Sequence, residues 1–116
     1  MTPDQFRNLV LRCPDSVEKT HHSHPDFRVQ GKIFATLGYP DTGWAMVRLT
    51  PEQQEEFVRD HPEVFSPVKG AWGLQGATRV RLAKARKVIL QSAVQAAWQN
   101  AVTAGRQPRR SKARNP

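Results

Sequence analysis

Between His24 and Gly38 the chain reads HPDFRVQGKIFATLG, two short apolar runs separated by Gln30-Gly31. The constraint on folding is strong. Glycine supplies the positive φ that a two-residue turn demands, so Phe27-Arg28-Val29 and Ile33–Leu37 are expected to run antiparallel as a hairpin. Ile33, Ala35 and Leu37 then fall on one face, by the two-residue period of a strand. A sheet, not a helical bundle, is therefore the centre of this fold.

The flanking sequence supplies helices. Thr2 can cap a first helix, Pro3 suits its first position, and Gln5 completes a capping box. Phe6, Leu9, Val10 and Cys13 then make one apolar stripe, and Pro14 stops the helix. Cys13 reads as a small core hydrophobe, since no activating partner adjoins it. A polar connection through Glu18 leads to the hairpin. Gly38–Gly43 is turn chemistry, and Trp44–Leu49 gives a third strand. Thr50-Pro51-Glu52-Gln53 repeats the capping device for a second helix, with Glu52, Glu55 and Glu56 complementing its dipole. Phe57 and Val58 are nearly its only apolar anchors, so it is expected on the surface and ends before Pro62.

Val64, Phe65 and Val68 make a short extended piece. Trp72–Gln75 and Thr78–Leu82 are expected to pair about Gly76-Ala77. Thr78, Val80 and Leu82 would share one face of the latter strand, Arg79 and Arg81 the other. A last helix spans about Ala85–Thr103, with Leu90, Val94, Ala97 or Trp98, and Ala101 as its buried stripe and Gly105 as its stop. The expectation is a single α+β domain over residues 1–104, an antiparallel sheet with N-terminal, central and C-terminal helices. Residues 105–116 read as a disordered basic tail.

At 116 residues the chain can bury roughly 65% of its unfolded surface as one domain. One cysteine excludes an intrachain disulfide and a four-cysteine zinc site. No signal peptide and no apolar run of membrane-spanning length is seen, so a cytoplasmic monomer without a membrane role is expected. The net charge of +8 is divided unevenly. Residues 1–63 carry seven Lys/Arg and ten Asp/Glu, or −3, whereas residues 64–116 carry eleven Lys/Arg and no acid, or +11. That asymmetry points to a polyanionic partner.

The stretches HPDFRVQGKIFATLG, GWAMVRLTPEQQEEFV, VFSPVKGAWGLQGATRVRL and AWQNA, in that order, resemble the MmcQ/YjbR family over about residues 2–102. The resemblance implies a CyaY-like fold, similar to the double-wing DNA-binding domain of a phage transcription activator, and family members are labelled DNA-binding on that ground. A CyaY-like fold is also that of frataxins, whose first helix bears an acidic ridge for iron. Here the first helix holds only Asp4, with Arg7 and Arg12 beside it, which argues against iron donation.

His21, His22, His24 and His61 do not have zinc-site spacing, and nucleophile-elbow and P-loop patterns are absent. No catalytic residue, cofactor or metal ligand is therefore expected. Gly70, Gly73 and Gly76 read as turn residues. Nucleic acid is the better match. Arg79, Arg81, Lys84, Arg86 and Lys87 put five cations in nine residues, and Arg106, Arg109, Arg110, Lys112 and Arg114 could add contacts from the tail. Aromatics do not interleave with these cations in sequence, and Trp72 is expected in the core. The reading is sequence-independent DNA binding through duplex phosphates. The alternative is a protein- or ligand-binding module that uses Tyr39 and Trp44 in the Gly38–Trp44 loop and has no nucleic-acid role.

Overall fold

The computed structural model describes residues 1–21, 24–38 and 41–106. The chain runs α1 (Pro3–Leu11), β1 (Val17–His21), β2 (His24–Val29), β3 (Lys32–Leu37), β4 (Trp44–Arg48), α2 (Pro51–Asp60), β5 (Phe65–Pro67), α3 (Ala71–Leu74), β6 (Ala77–Arg81), a 3₁₀ turn (Leu82–Lys84) and α4 (Lys87–Arg106). The strands form a six-stranded antiparallel sheet in the order β1-β2-β3-β4-β6-β5. The α+β expectation is met.

The hairpin forms as its turn dictates. Gln30 and Gly31 take φ of 53° and 79°, the left-handed pair that closes a twisted two-residue turn. The alternation expected of β3 is interrupted, however. Phe27 opposes Ala35 but Arg28 opposes Ile33, so Phe34 is an additional residue in β3. This bulge buries Phe34 together with Ala35 and Leu37 and leaves Ile33 only half-buried.

One face of the sheet carries the core. Phe27, Ala35, Leu37, Ala45, Val47, Val80 and Phe65 are at most 4% exposed and meet Phe6, Leu9 and Val10 of α1 and Leu90, Ala93, Val94, Ala97, Ala101 and Val102 of α4. Phe6 meets Phe27 edge-on at 6.4 Å. The Trp98 indole donates to the Pro14 carbonyl at 3.0 Å, joining α4 to the end of α1. Cys13 lies in the same layer, and burial pushes its thiol up from the ordinary range, so it is a poor nucleophile.

Both capping boxes are present, each with a threonine hydroxyl accepting from the third helical N–H and the glutamine amide oxygen accepting in return. Only the second is tied to the rest of the fold. Gln53 Oε1 accepts from Thr50 N–H at 2.9 Å and from Asn100 Nδ2 of α4 at 2.8 Å. No residue of α2 is fully buried, as its sparse apolar content implies. Phe57 nevertheless meets Phe65 at 5.1 Å.

Three expectations are corrected. The polar connection after α1 contains strand β1, an edge strand whose single apolar residue, Val17, is half exposed. It is held by backbone pairing to β2 rather than by burial. Trp72–Gln75 is not a strand: Ala71–Leu74 is one helical turn, closed by Gln75 N–H bonds to the Ala71 and Trp72 carbonyls. Gly76 therefore ends a helix instead of turning a hairpin. Its φ is +112°, and a Cβ there would lie 1.9 Å from the Leu49 carbonyl oxygen. Gly105, read as a stop, lies within α4 against the Gln30 side chain.

Two stability experiments follow from this packing. Gly76→Ala meets both a strained φ and fixed backbone, and is expected to lose about 2–4 kcal/mol in urea denaturation. Gly31→Ala, with open space around its Cβ, should lose only about 1 kcal/mol. Gln53→Ala removes both the cap and the shorter of the two bonds that Asn100 Nδ2 donates, and should cost about 1–2 kcal/mol, while Gln5→Ala at the exposed box should cost under about 0.7 kcal/mol.

Candidate nucleic-acid interface

The face of the sheet opposite the core is organised by register. Lys19, Asp26, Thr36, Met46, Arg79 and Ser66 stand opposite one another across all six strands, forming one continuous row. Trp44 pairs with Arg81 on one side of it, and Arg48 with Ala77 on the other. Since residues two apart on a strand share a face, Trp44, Met46 and Arg48 line up beside Arg81, Arg79 and Ala77.

Trp44 is half-buried, and two guanidinium groups approach its ring. The Arg79 and Arg81 guanidinium carbons stand 5.3 and 5.1 Å from its ring centroid. At the other end of β4, the guanidinium of Arg48 stands 5.4 Å from the ring of Trp72. Arg79 Nε also donates to Ser66 Oγ at 3.2 Å. Beneath this layer Met46 is 1% exposed yet lies outside the main core cluster. Met46 is thus a buried methionine on the sheet face opposite the core, with Thr36 and Arg79 as its cross-strand neighbours.

These arginines are not neutralised. Among the described residues, the ion pairs join Arg7 to Asp4 and Glu18, Arg28 to Asp26, and Arg59 to Asp60. None involves Arg48, Arg79 or Arg81. The one carboxylate in the central row, Asp26, is 2% exposed and taken up by Arg28 through bonds of 2.9 and 3.2 Å. Those bonds push the Arg28 guanidinium further up from its ordinary value.

The five cations drawn from the sequence are not one patch. Arg79 and Arg81 lie on the open sheet face, and Lys84 is exposed in the turn that follows. Arg86 precedes α4 and Lys87 begins it, in the layer on the other side of the sheet, and Lys87 lines a groove of about 780 Å³ with Met1 and Arg12. Arg106 closes α4. Its side chain, with Arg109, Arg110, Lys112, Arg114 and Tyr39, lies outside the described residues. Trp72 is corrected: it is 36% exposed and covers Arg48 rather than joining the core. In sequence no aromatic interleaves with these cations, but the pairing of β4 with β6 brings Trp44 to within 5.3 and 5.1 Å of the Arg79 and Arg81 guanidinium carbons.

Arg48 is the residue that sequence reasoning missed. Its signal was the spacing Trp44-x-Met46-x-Arg48, which places it on one face with a half-buried indole. Among the described residues no three His, Cys, Asp or Glu side chains converge. His61 caps α2 and packs on Phe65 at 6.3 Å. His24 opens β2 opposite His21, while His22 lies outside the described residues. No helix is long and apolar enough to cross a membrane among the described residues.

Comparison with known proteins agrees with this architecture. The chain is similar in structure to Deinococcus radiodurans protein DR2400, which carries the DUF419 domain, with a TM-score of 0.76, 18% sequence identity, and coverage of 99% of this chain and 89% of that one. At that identity the likeness is one of fold. No curated protein matches. The family model YjbR matches residues 11–100, from the end of α1 through every strand and most of α4. The chain belongs to the YjbR family.

Proposed function

We propose that this protein binds nucleic acid through sequence-independent phosphate contacts made by the open face of its sheet. The observation that carries the reading is the set of three arginines on one sheet face, Arg48, Arg79 and Arg81, which have no carboxylate partner among the described residues. A guanidinium that meets an indole keeps peripheral N–H groups for an anion such as a phosphodiester, two of whose oxygens can accept from its planar fork. The acid-free second half of the sequence adds Lys84, Arg86 and Lys87 as a surrounding positive field. Affinity in such a site comes from counterion release, which is indifferent to base sequence.

The reading distinguishes the two groups of cations. In fluorescence anisotropy with the full chain, Arg79→Glu combined with Arg81→Glu should weaken DNA binding about tenfold or more for every sequence tried. The slope of log affinity against log salt should flatten by about 0.7–0.9 per lost phosphate contact. The same number of reversals at Arg86 and Lys87 should weaken binding less. Unchanged binding by the Arg79/Arg81 variant would overturn the proposal.

A further inference from the structure

We infer that the form of nucleic acid taken by the open sheet face is a single strand, with an unpaired base stacked on the Trp44–arginine layer. The inference rests on the phosphate-binding reading above and goes beyond it by naming the ligand. Phosphate contacts alone need cations and no indoles. This face nevertheless places Trp44 against Arg79 and Arg81 and Trp72 against Arg48, both rings partly in water. A cationic track with aromatic rings set into it matches the chemistry of an unpaired strand, whose bases have free π-faces while its phosphates remain charged. A guanidinium fixed on a ring offers a second planar surface for the same purpose.

The dimensions agree. Trp44 and Arg48 are four residues apart on β4, about 13 Å, a length that a few nucleotides of an unpaired strand can follow. A duplex fits less well. Its bases are stacked on one another, and their edges are read by helices or ribbons inserted into a groove. Here α1 and α4 contribute their buried residues to the core on the opposite face, and the helix that meets the open face, α3, is four residues long. Ser66 and Thr36, short polar side chains in the central row, leave the layer low and accessible to a splayed strand.

The test separates base from phosphate on the ligand side, so it does not depend on a variant that must fold. Full-length protein is titrated with dT15, with a 15-nucleotide abasic phosphodiester strand of equal charge, and with the dT15·dA15 duplex. Tryptophan fluorescence and anisotropy are read together, and rU15 with its abasic counterpart tells which sugar the face accepts. Binding of dT15 or rU15 at least about fivefold tighter than its abasic strand and than the duplex, with quenching of indole emission, is the expected result. Trp44→Leu should bring the base-bearing strand down to the abasic level, and Trp44→Phe should restore part of the difference. Equal affinity for base-bearing, abasic and duplex ligands, or tighter binding of the duplex, overturns the single-strand assignment while leaving phosphate binding in place. Failure of all ligands to bind overturns both.

Discussion

The antiparallel register of β4 with β6 sorts ten residues into two populations, and the rest of the molecule follows from that sorting. Ala45, Val47, Thr78 and Val80 face the helices and are fully buried. Trp44, Met46, Arg48, Ala77, Arg79 and Arg81 face the other way. A slip of one residue would exchange the populations and drive two guanidinium groups into an apolar layer, where an unpaired charge is prohibitively costly. The demand for a dry core thus fixes where the arginines stand. Their alignment with Trp44 is a consequence of the same pairing that closes the sheet.

Holding Arg79 and Arg81 on one face has an electrostatic cost. Two residues apart on a strand they lie about 7 Å apart, a repulsion of about 0.6 kcal/mol in water and more where the surface is partly desolvated. Each contact with the indole of Trp44 contributes about 0.5–1 kcal/mol, which offsets this. Burial of Met46 under the same layer adds an apolar contribution that exposed arginines alone could not provide. The open face is a second, thin packed layer, and its arginines are positioned before any anion arrives.

The parts legible in the sequence were those with local causes. Capping boxes at Thr2 and Thr50, the turn at Gln30-Gly31 and the alternation of β6 all follow from neighbours within a few residues, and all are found. The parts that escaped have non-local causes. Strand β1 has almost no apolar signal because it is held by hydrogen bonds to β2. The helical turn at Trp72 depends on what surrounds it: Gln54 of α2 donates from its side-chain amide to the Gly73 and Ala77 carbonyls, 19 and 23 residues away. For the candidate site, Arg79 and Arg81 were readable from alternation alone. Trp44 and Arg48 share a face by their spacing on β4, but their meeting with Arg79, Arg81 and Trp72 was not readable, because only the β4–β6 pairing and the position of α3 bring those groups together.

The charge asymmetry of the chain accordingly has two components with different physics. Arg86 and Lys87 at the start of α4 oppose the helix dipole, at about 0.3–1 kcal/mol each when exposed. The helix tolerates them because it buries Leu90, Val94 and Val102, and burying a single such side chain contributes about 1.5–3 kcal/mol. Helix stability therefore neither requires nor excludes these cations, and being exposed they act mainly through a field that salt screens within about 8 Å. The sheet-face arginines differ in kind. They are oriented by rings, by Ser66 and by strand register, so they keep their geometry at salt concentrations that erase the diffuse field.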